Sequence, residues 1–387
     1  MRILYFTFLE PSEKFGGGIG ILKSLSALCQ FADVCYVGPL FNQEEIIKYN
    51  IKLYDCTFIE IKKTYIKRVY NYIIHRSASG FYDSWKNAVE GKISKEKYDF
   101  VYLERSLQGF AAKWSKKNNI PLILMTHNVE YDYFYMLMEK SISLSKYFSF
   151  RNARLNERIC LQCADKVISL TEYDKKRFMK IYKVSQKKIS IIPVCINGIS
   201  VKNVYKNNKP YILLTGSLWF GANSDGAVWF LRYVWTELEE EIGELFDLII
   251  AGSNPSRLIY DTVKELRHVR IIENPISMDL YYAGASIFVA PIFYGSGMKV
   301  KIAEALSCGL EVVSTSHALT GYEKVKEYIH CADSKEDFKS AIKNIIENSL
   351  YNNRSEEIRN IFKKNFSMET FVNLLKNTIY GTLKSNK

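Results

Sequence analysis

Val289-Ala290-Pro291-Ile292-Phe293-Tyr294-Gly295-Ser296-Gly297-Met298-Lys299-Val300-Lys301-Ile302-Ala303-Glu304-Ala305-Leu306-Ser307-Cys308-Gly309-Leu310-Glu311-Val312-Val313-Ser314-Thr315 is the stretch whose pattern decides the fold. An apolar strand runs into a glycine loop, a helix starts near Met298, Gly309 stops it, and a second apolar strand follows. Strand, loop, helix and strand in that order form the repeating unit of a parallel sheet with crossover helices. Backbone N–H groups of the Gly295-Ser296-Gly297-Met298 loop, at a helix N-terminus, favour an anion. Lys299 or Lys301 would meet a pyrophosphate there, and Glu304 would accept hydrogen bonds from a ribose diol.

The same alternation extends outward in both directions. Strands are expected at Ile3 to Phe8, Val34 to Val37, Phe100 to Leu103, Leu122 to Met125, Val167 to Leu170 and Ile189 to Ile192. Helical patterns between them include Gly20 to Gln30 and Leu144 to Ala164. After a polar run the pattern restarts, with strands at Tyr211 to Thr215, Leu245 to Ala251, Val269 to Ile272, Ile287 to Ala290 and Glu311 to Ser314. The expectation is an α/β chain of two Rossmann-like, doubly wound parallel-sheet domains facing a cleft. Residues 1–195 form the first domain, 196–210 a linker, 211–365 the second domain, and 366–387 a helix that returns to the first.

Length and charge narrow the function. At 387 residues, 48% hydrophobic and 24% charged, the chain is neither disordered nor a small stapled scaffold. No run approaches the roughly 20 apolar residues that span a bilayer, and Met1 to Phe8 leads into Glu10 without a signal-peptide core, so a cytoplasmic location is expected. The eight cysteines are scattered through apolar segments. Cys160 and Cys163 make one Cys-x-x-Cys inside a helical pattern with no second pair, and no metal site is read from it. Residues 1–195 hold 31 Lys/Arg against 19 Asp/Glu, whereas residues 196–387 hold 22 of each, so the whole excess of +12 lies in the first half. Lys62, Lys63, Lys67 and Arg68 sit in an acid-free amphipathic pattern from Ile61 to Arg76. That pattern suits either a surface helix with its apolar stripe on the core or an interfacial helix on anionic headgroups. Helix-turn-helix, zinc-finger and RNA-recognition signatures are missing, which argues against nucleic acid as the partner.

Two further motifs carry chemistry. Gly16, Gly17 and Gly18 follow the first strand and precede an amphipathic helix, an arrangement that serves a phosphate or a plain turn. Thr126-His127-Asn128-Val129-Glu130 follows the strand ending at Met125. His127 there can bond a sugar hydroxyl, with Glu130 orienting it or binding substrate itself; the other reading is a capping turn with Glu130 in the first helical turn. The block from Pro291 to Thr315, the three glycines, His127 and Leu214-Thr215-Gly216-Ser217-Leu218-Trp219-Phe220-Gly221-Ala222-Asn223 together resemble the family-four glycosyltransferases of GT-B fold.

That resemblance implies retaining transfer of a sugar from a nucleoside-diphosphate sugar to a glycan or lipid-linked acceptor, as in cell-surface polysaccharide synthesis, with no bound cofactor and no required metal. It implies that Gly17 and Gly18 approach the donor phosphates, that His127 contacts the transferred sugar, and that Glu304 holds the ribose. Ser296 stands where many members carry a donor-sugar Glu. Ser217 and Asn223 stand where many carry an Arg and a Lys, and Lys299 or Lys301 is expected to supply the missing charge. The acceptor leads to an expected peripheral contact with the inner face of the membrane. Two alternatives remain at this stage: a nucleotide-sugar epimerase of the same fold, and a non-catalytic partner subunit.

Overall fold

The computed structural model describes residues 1–13, 16–59, 85–88, 93, 97–139, 143–199, 204–295 and 297–385. Lys62, Lys63, Lys67, Arg68 and Ser296 lie outside the described residues. The chain divides into two compact units, Met1–Pro193 with Phe371–Lys387, and Val194–Thr370.

Among the described residues the first unit is built on seven strands: β1 (Arg2–Phe6), β2 (Asp33–Gly38), β3 (Asp55–Phe58), β4 (Phe100–Glu104), β5 (Leu122–Met125), β6 (Lys166–Ser169) and β7 (Ile189–Ile191). Their order is β3-β2-β1-β4-β5-β6-β7, all parallel. Continuous apolar runs such as Leu-Ile-Leu-Met in β5 are buried on both faces, as a sheet covered by helices on each side requires. The register places Tyr5 opposite both Tyr36 and Tyr102. The three buried rings stack at 6.2 and 5.4 Å, a row that leads toward Glu104 at the end of β4.

The second unit holds β8 (Tyr211–Ser217), β9 (Asp247–Ser253), β10 (Val269–Glu273), β11 (Ile287–Ala290), β12 (Glu311–Ser314) and β13 (His330–Cys331), in the parallel order β10-β9-β8-β11-β12-β13. Successive residues supply opposite faces. Leu213, Ile249, Phe288 and Val312 join Ile302, Leu306 and Phe366 on one side, while Ile212, Leu248, Ile287 and Val313 join Phe230, Trp235 and Phe338 on the other. Each fully buried side chain of this size contributes about 1.5–3 kcal/mol.

Several expectations need correction. The helix after β1 is Gly16–Leu28, so the three glycines form its first turn instead of a loop before it. Glycine costs a helix about 1 kcal/mol relative to alanine, and packing outweighs that cost here. A Cβ on Gly18 would lie 2.3 Å from the Ser12 carbonyl oxygen, and one on Gly20 would lie 2.6 Å from His127 Cε1. The helix after β11 is Val300–Ser307, with Lys299 at its N-cap and Met298 before it. Edge strands β3 and β13 lack a long apolar run, which is why the pattern did not reveal them. The described part of the polar run before β8 is fastened to the second unit. Tyr205 N donates to Leu280 O at 2.9 Å, and Asn207 Nδ2 donates to Asp247 Oδ2 at 2.8 Å.

Candidate functional site

Parallel strands deliver the residues that follow them to one edge of the sheet, and the chemistry of each unit collects there. In the first unit β4 and β5 are neighbours, with Glu104 opposite Met125. His127, two residues beyond β5, places Nε2 2.5 Å from Glu104 Oε1. Glu104 is fully buried and also accepts from the Tyr5 hydroxyl at 2.7 Å and the Ser24 hydroxyl at 3.3 Å. A carboxylate only accepts, so Nε2 carries the hydrogen and Nδ1 is the ring nitrogen left for other partners. The negative charge of Glu104 adds to burial in driving the Tyr5 phenol well above its ordinary pKa. Gly20 completes the fit, because any side chain there would occupy the space of the imidazole.

Glu130 does not orient His127. It is buried at the start of the helix Glu130–Glu139, and its Oε1 accepts from Arg105 Nε and Nη2 at 3.0 and 2.6 Å. Arg105 follows β4 with a φ of 72°, a left-handed conformation that swings its guanidinium onto Glu130. Among the described residues Glu130 Oε2 is buried with no hydrogen-bond partner. Beneath this pair Glu157 accepts from Glu130 N, Tyr131 N, Ser106 Oγ and the Tyr182 hydroxyl at 2.7 to 3.1 Å. Burial still pushes the Glu157 carboxyl up to about 7, opposed by the Tyr182 bond and reinforced by the charge of Glu130. Gly16 is exposed, with no atom near an added Cβ, and Gly17 is half-buried.

In the second unit the half-buried Lys301 reaches from the helix Val300–Ser307 back to β8. Its ammonium donates to Thr215 O at 2.5 Å and to Asn223 Oδ1 at 2.8 Å. Gly216 makes this possible, since a Cβ there would lie 2.7 Å from Lys301 Nζ. Asn223 Nδ2 in turn donates to Ser217 O at 3.1 Å, in the first turn of the helix Gly221–Phe230. Desolvation lowers the Lys301 pKa to about 8, with Glu304 opposing the shift and Lys299 adding to it. Glu304 lies one turn further along and is bonded by the Tyr282 hydroxyl, which also meets Thr215 Oγ1 at 2.8 Å.

Lys299 takes a different course. Its ammonium donates to Gly297 O at 2.8 Å and Gly295 O at 3.4 Å, folding onto its own loop. Gly295 and Gly297 have φ of 110° and 75°, which glycine adopts freely, and His317 Nε2 ties Gly295 O at 2.8 Å. Met298 Sδ accepts from Val194 N at 3.3 Å. Ser217, Asn223, Lys301 and Glu304 are thus brought together, whereas the Gly295, Gly297, Met298 and Lys299 loop is braced separately. Glu104, Arg105, Glu157 and Tyr282 escaped the sequence reading, and Thr215 was quoted there within a motif without a role of its own. Glu104-Arg105 carries a usable signal, a polar pair directly after an expected strand, in the same relation to β4 as Thr126-His127 to β5.

Residues 55–198 match the family described as Glycosyltransferase Family 4, and residues 209–348 match the one described as Glycosyl transferases group 1. An uncharacterized 44.6 kDa protein in the cps region of Klebsiella pneumoniae is 26% identical over 242 residues; the match spans 59% of this chain and 59% of that relative's length. Among solved structures, Anabaena HepE in complex with UDP-glucose superposes with a TM-score of 0.66 at 12% identity, covering 98% of this chain and 100% of that one. WaaG, a glycosyltransferase involved in lipopolysaccharide biosynthesis, superposes with a TM-score of 0.65 at 13% identity over 98% and 100%. Those likenesses carry the two-sheet GT-B architecture, and the two sequence matches follow one another along most of the chain. In chain order the protein therefore carries a Glycosyltransferase Family 4 domain followed by a Glycosyl transferases group 1 domain, on the two-sheet GT-B fold.

Proposed function

We propose that this glycosyltransferase moves a hexosyl group, with retention and without a metal, from a uridine-diphosphate sugar to a glycan or lipid-linked acceptor in cell-surface polysaccharide synthesis at the inner face of the membrane. The observation that carries the reading is the Lys301 ammonium on Asn223 Oδ1. Asn223 and Ser217 stand where many family members carry the Lys and Arg that neutralise the donor diphosphate, and Lys301 delivers a cation to that place. The uridine base and the polysaccharide context rest on the relatives, HepE with UDP-glucose and WaaG in lipopolysaccharide synthesis.

Transfer breaks the bond between the anomeric carbon and the β-phosphate oxygen, and the electron pair leaves with the diphosphate. Lys301 and the N-terminal N–H groups of the helix Gly221–Phe230 stabilise that developing charge. The acceptor oxygen bonds the positively charged, oxocarbenium-like carbon from the same face, and its proton passes to the departing phosphate oxygen. His127, held by Glu104, presents Nδ1 to a hydroxyl of the transferred sugar and limits its rotation. Glu304 accepts from the ribose diol. Gly16, exposed in the first turn of its helix, and Gly17 beside it suit close approach of the donor phosphates.

A thermal-shift panel of UDP, GDP, ADP and CMP with their sugar conjugates tests the reading. Stabilisation by UDP and a UDP-sugar, lost in Lys301→Met and retained in EDTA, is the expected result. No shift with any nucleotide, or a shift that Lys301→Met leaves intact, overturns it.

A further inference from the structure

Two consecutive helices of the first unit, Glu130–Glu139 and Leu144–Cys163, carry apolar side chains that the fold covers only in part. The first contains Tyr133, Phe134, Met136, Leu137 and Met138, yet its sole buried residue is Glu130. The second turns Phe150 inward against Tyr131 and Tyr135, with ring centroids at 5.1 and 5.7 Å. Its first two turns face outward: Leu144 is 78% exposed, Phe148 49% and Tyr147 43%. A protein surface normally scatters such side chains singly, so a contiguous set marks a contact surface.

Charge identifies what the surface meets. The exposed stripe of the second helix continues from Leu144, Tyr147 and Phe148 into Arg151, Arg154 and Arg158, with Lys146 half-exposed beside them. Arg151 lies over the Tyr147 ring at 5.9 Å and Arg154 over Tyr131 at 5.5 Å, so cations and rings share one layer. Of the acids on the two helices, Glu130 and Glu157 are buried and Asp132 is paired with Arg177, which leaves Glu139, bonded by Tyr135, as the exposed one. Apolar side chains flanked by arginines that make no ion pair among the described residues fit neither water nor a neutral apolar partner. They fit the boundary of an anionic bilayer, where rings and Leu144 enter the acyl region and the guanidinium groups meet lipid phosphates.

We infer that the hairpin formed by these two helices docks this enzyme onto anionic lipid. The inference is independent of the donor and of the residues at the sugar site. No described helix is long and apolar enough to cross a membrane, so docking of this kind is peripheral.

Co-sedimentation of the full chain with phosphatidylcholine vesicles, with and without phosphatidylglycerol, tests it. Binding is expected only to the anionic vesicles, weakening as salt rises from about 0.1 to 0.5 M. Leu144→Ser, Tyr147→Ser and Phe148→Ser together should lower the partition at least tenfold, on the order of the hydrocarbon contact removed. Replacing Arg151, Arg154 and Arg158 by Gln should lower it on the order of fivefold per arginine. These positions are exposed, and an unchanged circular dichroism spectrum and melting temperature serve as the folding control. Absence of wild-type binding, or binding that both variants retain, overturns the inference. So does a wild-type dimer that the serine variant dissociates without any change in vesicle binding, which would assign the face to a second copy of the chain.

Discussion

Raising the pH should weaken nucleotide binding through Lys301. Desolvation against Thr215 O and the base of β8 holds its pKa near 8, against the ordinary lysine value of 10.5. A diphosphate arriving beside the ammonium favours the charged form and moves the pKa back up, so above pH 8 binding must take up a proton. Affinity therefore falls as pH rises, at a limiting rate of about tenfold per unit, until the pKa of the complex is passed. The terminal phosphate titrates near pH 6 and does not interfere in this window. Lys301→Met should cost about 1.5–3 kcal/mol of binding, roughly ten- to 150-fold, as expected for a hydrogen bond to a charged group.

Isothermal titration of UDP at pH 7, 8, 9 and 10 checks both magnitudes. Stability itself moves the other way: between about 8 and 10.5 the folded chain holds fewer protons at Lys301 than the unfolded chain, so this group makes the fold more stable as pH rises. A loss of affinity therefore cannot be blamed on Lys301 unfolding the protein. The reasoning fails if Lys301→Met binds UDP as tightly as the wild type, or if the variant keeps the wild-type slope above pH 8.

Four other outcomes follow from the geometry. Glu104→Gln should reduce kcat by about ten- to 100-fold through loss of a charge-assisted bond, with donor affinity unchanged, and the double variant with His127→Ala should be little worse than His127→Ala alone in steady-state kinetics. Gly20→Ala sets a helix gain of about 1 kcal/mol against an added atom 2.6 Å from the imidazole; calorimetry should find stability nearly unchanged while turnover falls, because the ring must shift. Glu304→Gln should weaken UDP about tenfold and 2′-deoxy-UDP less, measured by titration, and equal losses for both would remove Glu304 from the ribose. Glu157→Ala strands four donors around a buried gap and should cost on the order of 3 kcal/mol of stability in urea melts, with no larger loss of UDP affinity than the melting curve explains.

Most of the strand pattern was legible in the chain because parallel strands covered on both faces read as short apolar runs between helical stretches. Leu122–Met125, Ile287–Ala290 and Glu311–Ser314 coincide with their expected bounds. The edge strands Asp55–Phe58 and His330–Cys331 had no such run to reveal them. The glycines were visible, but their reasons were not: Gly18 answers to Ser12 and Gly20 to His127, contacts that periodicity does not encode.

The sequence by itself determined the α/β class, the two-sheet organisation, the position of His127 after β5, and the presence of spare lysines near Glu304. Only the tertiary structure decided which groups act together. Glu104, rather than nearby Glu130, holds His127, because β4 and β5 lie side by side and put the ends of both strands at one edge. Lys301 rather than Lys299 reaches Asn223, 78 residues away, because β8 and β11 are neighbours and Gly216 leaves room for the ammonium. Spacing along a chain sets local periodicity, whereas partnership across a parallel sheet depends on strand order and on which side chain the packing leaves room for.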